Sequence, residues 1–146
     1  MEFTIKNEGE FEYIEEGSGK ETILLLHGLF GALSNWDGVI AGFRDKYRVI
    51  IPLLPIYTMP MKSAGISGLV KFVEKFVETK NLREVTLIGN SLGGHLGLVY
   101  TLNNPGNVKR LILTGSSGLF ENSMGASFPK RGNYDFVQDK VRETFF

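Results

Sequence analysis

The spacing of apolar positions changes along the chain, and each change predicts an element. Phe3–Lys6 and Phe11–Ile14 alternate apolar and polar side chains on either side of Asn7-Glu8-Gly9, the pattern of an antiparallel hairpin. After a turn at Gly17-Ser18-Gly19, the run Ile23-Leu24-Leu25-Leu26 is apolar without alternation, as in a strand covered on both faces. Arg48-Val49-Ile50-Ile51, Val85-Thr86-Leu87-Ile88 and Leu111-Ile112-Leu113 repeat that character and predict three more buried strands. Between them the period lengthens. Ser34 to Phe43 reads as a short helix with Ser34 as its N-cap. Leu69, Phe72, Val73, Phe76 and Val77 share one face of a helix over Gly68–Thr79, with Lys71, Glu74, Lys75 and Glu78 opposite. A further helix runs from about Ser91 to Leu102 and is stopped by Asn103-Asn104-Pro105-Gly106. Strands alternating with helices predict an α/β fold: a mostly parallel sheet with helices on both faces, preceded by the antiparallel hairpin.

Composition narrows this to a single domain of 146 residues with 42% hydrophobic content. Sixteen basic residues balance sixteen acidic ones, so the charge has no nucleic-acid-binding character. The balance is uneven, with seven Glu against two Lys in residues 1–21. That acidic start reads as the solvated face of edge strands rather than a docking surface. With no cysteine, disulfides and thiolate metal sites are excluded. The residue types that hold metals never cluster at ligand spacing, so neither a metal nor a cofactor is expected. Met1 to Lys6 lacks the pattern of a secretory signal. The longest uncharged apolar stretch, Val49–Met61, is short for a membrane span and broken by Pro52, Pro55 and Pro60. A soluble, cytoplasmic protein without membrane contact is the expectation.

Candidate chemistry lies at Val85–Gly94, V-T-L-I-G-N-S-L-G-G. A buried strand ends, Gly89 follows, Ser91 occupies the turn and Gly93 opens a helix, which is G-x-S-x-G in the strand–turn–helix context that this motif requires. A serine lifted out on so sharp a turn leaves no room for side chains two residues before or after it. The same turn places the Leu92 N–H at a helix N-terminus, where partial positive charge favours a developing oxyanion. A weaker glycine cluster, Gly17-Ser18-Gly19-Lys20-Glu21-Thr22, lacks the upstream glycine of a phosphate loop and precedes a strand instead of following one.

A second motif, His27-Gly28-Leu29-Phe30-Gly31, follows the strand ending at Leu26. Together with the Gly89–Gly93 elbow, and with the order of elements over nearly the whole chain, it resembles the α/β-hydrolase superfamily. The resemblance implies Ser91 as nucleophile and the backbone N–H groups of Leu29 and Leu92 as oxyanion donors. It implies loop shaping for His27, with Gly28, Gly89, Asn90 and Gly93 in support. Asn90 before the serine is similar to the elbow of meta-cleavage-product C–C hydrolases, and simple esterases also carry Asn there. The implied function is hydrolysis of small esters, with a C–C bond beside a ketone as an alternative.

Three departures from the family pattern bear on this reading. Pro52-Leu53-Leu54-Pro55-Ile56-Tyr57-Thr58 replaces the usual glycine-rich turn after the fourth strand, and Thr114-Gly115-Ser116-Ser117 carries no triad acid. The family's catalytic His, which follows its last strand, is expected beyond Phe146, so the core lacks its last strands. His27 and His95 are poor substitutes as a base. Glu121, Asp135, Asp139 and Glu143 read as surface charges. The site is therefore expected to be incomplete in this chain, and a non-catalytic module that keeps the fold is the rival reading. Residues 1–116 are expected to form the core and 117–146 the start of a lid. In the lid a helix from Tyr134 would carry Val141 and Phe145 on an apolar stripe, suited to the remainder of a hydrolase chain or to a second copy in a homodimer.

Overall fold

The computed structural model describes residues 3–29, 33–60, 63 and 65–117. The predicted lid, the helix from Tyr134 and the four C-terminal carboxylates lie outside the described residues, as do Phe30 and Gly31. Six strands, β1 (Lys6–Glu8), β2 (Phe11–Glu16), β3 (Thr22–Leu26), β4 (Arg48–Pro52), β5 (Val85–Asn90) and β6 (Val108–Thr114), form one sheet in the order β1-β2-β4-β3-β5-β6. β1 and β2 are antiparallel, β2 is antiparallel to β4, and β3 to β6 run parallel. Three α-helices connect them: α1 (Asp37–Phe43), α2 (Ile66–Thr79) and α3 (Leu92–Asn103).

The unalternating strand runs follow from two cores. Leu24, Leu26, Ile50 and Leu87 face α2 and α3 along with Phe11 and Tyr13. The intervening Ile23, Leu25, Val49 and Ile51 face α1, against Trp36 and Ile40. Successive side chains on a strand point to opposite faces, so a strand covered on both sides must be apolar at every position. The rings of Phe72 and Phe76 on α2 meet Phe11 edge-on, with centroids 5.1 and 5.4 Å away, which fastens the hairpin to the helix layer.

The structure corrects three details of the sequence reading. The first strand is Lys6–Glu8 rather than Phe3–Lys6, with the turn at Gly9-Glu10 and Glu8 opposite Phe11. Side-chain pairing decides that register. Glu8 reaches Lys80 Nζ at 2.7 Å and accepts from Tyr13 Oη at 3.3 Å. The acidic start is solvent-facing at Glu10, Glu12 and Glu21, as expected, and it is also paired. Glu8, Glu10, Glu15 and Glu21 pair with Lys80, Lys75, Arg48 and Lys109, so the uneven charge along the chain closes within the fold. Burial works to raise the Glu15 pKa, but the Arg48 hydrogen bond and the charges of Arg48, Lys6 and Lys80 outweigh it and hold the carboxyl below its ordinary value.

Ser34 sits inside a 3-10 turn, Leu33–Trp36, and Trp36 occupies the N-cap position of α1. The apolar Leu33 and Trp36 pack onto the second core, which draws the turn against the sheet and moves the helix start past Ser34. Finally, β6 is longer than Leu111–Leu113 and is half-exposed rather than buried, with Ile112 44% accessible. Ile112 pairs with Ile88 on the α1 side of the sheet, and α1 does not extend that far.

Candidate active site

Register brings the site together. In the parallel sheet Leu26 lies opposite Gly89, and Asn90 opposite Thr114. The loop after β3, the turn after β5 and the end of β6 therefore meet at one carboxyl edge. Ser91 caps α3 with φ 51° and ψ −116°, a left-handed conformation that an L-residue adopts only under constraint. The constraint is visible. The Ser91 N–H donates to Thr114 O at 3.1 Å, and the Ser91 carbonyl accepts from Gly94, His95 and Ser117 N–H at 3.0 to 3.2 Å. Glycine is required on either side. A Cβ on Gly89 would lie 2.4 Å from Gly93 O, and one on Gly93 would lie 2.0 Å from Leu26 O. Leu92, the first residue of α3, has an N–H with no acceptor inside the helix.

Across from this turn lies the His27-Gly28-Leu29 loop; a Cβ on Gly28 would come within 3.2 Å of Ser91 Cβ. The two ring nitrogens of His27 have different partners. Nε2 accepts from the Leu54 N–H at 3.0 Å, and Nδ1 lies 2.9 Å from Gly28 O. A carbonyl can only accept, so Nδ1 carries the proton and Nε2 does not. The ring is thus neutral and held in one tautomer. Gly28 O belongs to the same peptide unit as the Leu29 N–H, and in a trans peptide the two point in opposite directions. By holding that carbonyl, His27 sets where the Leu29 N–H points. With both nitrogens engaged, His27 has none left for proton transfer with Ser91.

Burial pushes the His27 pKa below 6.5, against a smaller upward pull from the Gly28 bond. The folded state therefore resists protonation that the unfolded chain accepts. The stabilisation is complete above about pH 6.5 and is lost as the pH falls from there through the lower folded-state pKa. We predict that thermal stability falls between pH 7.5 and 5.5, with a slope of at most about 1.4 kcal/mol per pH unit from this group. The slope should flatten in His27→Gln. Equal slopes in melts of the two proteins would show that His27 is not the titrating group.

A cleft of about 370 Å³ opens beside the elbow, lined by His27, Gly28, Asn35, Trp36, Asn90 and Thr114. The Asn90 Nδ2 donates to Thr114 O at 3.0 Å and lies 3.1 Å from Thr114 Oγ1, which ties the end of β5 to that of β6. His95 lies one turn into α3, half-buried. The structure thus brings Ser91, Leu92, His27, Gly28, Leu29, Gly89, Asn90 and Gly93 to one place. Among the described residues no cluster of His, Asp and Glu could hold a metal ion, and no helix is long and apolar enough to cross a membrane.

The family model of the alpha/beta hydrolase fold matches residues 21–143. The chain belongs to this family. Among solved structures, an alpha/beta hydrolase enzyme from the metagenome of sediments of the Mar Chica lagoon, Morocco, is 40% identical with a TM-score of 0.77, over 97% of this chain and 59% of that one. Among curated relatives, the uncharacterized hydrolase YugF of Bacillus subtilis is 27% identical over 83% of this chain and 46% of its own length. A 2-hydroxy-6-oxononadienedioate/2-hydroxy-6-oxononatrienedioate hydrolase of Paraburkholderia phymatum is 33% identical over 70% of this chain and 38% of its own length. The chain thus spans less than half the length of these two curated relatives.

In this hydrolase-fold chain, sequence reasoning missed the loop after β4. Leu54 supplies the N–H that fixes His27, and the Tyr57 hydroxyl donates to Leu29 O at 2.7 Å. The one available signal was that this loop departs from the family pattern. Asn35 and Trp36 were missed as cleft residues because nothing in their spacing marks them.

Proposed function

We propose that this chain carries the nucleophile and oxyanion half of a serine hydrolase acting on small ester substrates. The observation that carries the reading is the left-handed Ser91 facing a Leu29 peptide that His27 holds by its carbonyl. In the proposed reaction Ser91 Oγ attacks the substrate carbonyl and its proton passes to a base. The carbonyl oxygen becomes an oxyanion held by the Leu29 and Leu92 N–H groups. Collapse of the adduct breaks the bond to the alcohol, which leaves with a proton, and water then releases the acid from Ser91. In this reading the base and its acid partner come from outside the described residues: both His27 nitrogens are engaged, and His95 sits half-buried a turn into the helix that Ser91 caps, away from the carboxyl edge that the elbow serine faces. The volume and the amide and hydroxyl lining of the cleft suit a small, uncharged or weakly acidic substrate.

A fluorophosphonate probe tests the nucleophile, with labelling expected in the wild type and none above background in Ser91→Ala. Cleavage of a C–C bond beside a ketone is the second reading. It is supported by Asn90 and by the 33% identity with the Paraburkholderia enzyme. Turnover of 2-hydroxy-6-oxononadienedioate faster than of a short p-nitrophenyl ester would favour it.

A further inference from the structure

Tyr57 is 73% exposed, so its ring contributes little to either core. Its hydroxyl nevertheless makes a 2.7 Å hydrogen bond to the carbonyl of Leu29, 28 residues earlier in the chain. The segment that presents it is stiff. Pro55 and Pro60 restrict the backbone, and the Ile56 and Met59 N–H groups bond back to Leu54 O at 2.8 Å and Pro55 O at 3.0 Å. The same segment supplies the Leu54 N–H that fixes the His27 ring. The loop after β4 thus grips the His27-Gly28-Leu29 loop at two points, and each acts on a different peptide unit.

His27 holds the carbonyl of the peptide before Leu29 Cα, and Tyr57 holds the carbonyl of the peptide after it. One bond alone leaves the Leu29 backbone free to pivot about the fixed unit. Two bonds, one on each side of the Cα, restrict both of its dihedrals and hence the direction of the Leu29 N–H. We propose that Tyr57 is a positioning residue that aims the Leu29 N–H at the developing oxyanion. The proposal rests on the reading of Ser91 as nucleophile and Leu29 as donor. Tyr57 touches no reacting atom in it; the hydroxyl acts through the Leu29 peptide. A misaimed donor weakens the transition state and leaves ground-state binding nearly unchanged.

The test compares wild type, Tyr57→Phe and Ser91→Ala in the full-length protein with a short-chain p-nitrophenyl ester. Removing a whole oxyanion donor costs roughly 100- to 1,000-fold in turnover, so misaiming one should cost about tenfold. Tyr57→Phe is expected to lower kcat about tenfold with KM nearly unchanged. Its affinity for a trifluoromethyl ketone, which binds as a tetrahedral adduct, should weaken by a similar factor. Its melting temperature should stay that of wild type, because the exposed ring is retained. Wild-type kcat in Tyr57→Phe, or a fall in kcat matched by a lower melting temperature, would overturn the positioning role while Ser91→Ala remains inactive. If Ser91→Ala itself turns over ester normally, the nucleophile reading fails and the positioning role falls with it.

Discussion

Ser91→Ala is expected to lower ester turnover by four orders of magnitude or more while leaving the fold intact. In the proposed reaction Ser91 contributes the attacking oxygen itself, so no neighbour can stand in for it. What remains is the rate that backbone donors and substrate binding supply without a nucleophile; in serine proteases this is roughly 1,000- to 10,000-fold above the uncatalysed reaction. Alanine costs the turn little. The elbow is held by main-chain bonds from Ser91 to Thr114, Gly94, His95 and Ser117, and the left-handed strain is already present with serine. The check is ester kinetics together with a thermal melt. Retained turnover would remove Ser91 from the chemistry. A large drop in melting temperature would instead mean that the hydroxyl supports the fold.

Gly93→Ala is expected to be the most destabilising single-methyl substitution in the elbow, at about 3 kcal/mol or more, or roughly 10 °C in melting temperature. The added Cβ would meet Leu26 O at 2.0 Å, Leu26 C at 2.4 Å and His27 O at 2.7 Å. All three are backbone atoms, so no rotamer change can relieve the contact. Either α3 must move off the sheet or the end of β3 must move away from β5. Leu26 pairs with Gly89 at the centre of the sheet, so the second route would break the ladder beside the elbow. The first would pull Leu92 away from the Leu29 loop and lose function along with stability. Gly42→Ala is the control. It lies within α1 with nothing inside 4 Å of its would-be Cβ, and alanine there should add about 0.5–1 kcal/mol. A Gly93→Ala protein that melts within a few degrees of wild type would contradict the packing described at the elbow.

The elements were legible because local pattern decides them. The all-apolar β3 and β4 announce a sheet covered on both faces, and the stripe around Val73 and Phe76 announces a helix lying on it. The elbow was legible for a similar reason. Gly89, Ser91 and Gly93 sit within five residues, so the steric demand of the turn is written in a short stretch of chain. Less legible was anything set by which neighbour a strand acquires. Leu111-Ile112-Leu113 is as apolar as a central strand, yet β6 is half-exposed among the described residues. The hairpin register depended on Lys80, more than 60 residues away, and no local alternation could signal it.

By itself, the sequence determined the α/β order of elements, the position of the strained turn and the pairing of that turn with a His-Gly loop. These are short-range matters of period, of glycine at fixed offsets and of apolar runs. The tertiary structure alone decided which partners hold His27, the Leu54 N–H on Nε2 and the Gly28 carbonyl on Nδ1, and hence its single neutral tautomer. It also decided that Leu54 and Tyr57 grip the Leu29 loop from a segment whose own sequence looked merely irregular. The physical reason is that a hydrogen bond depends on direction and distance in space. Partners 27 and 28 residues apart are brought within 3.0 Å only when parallel register sets the ends of β3 and β4 side by side.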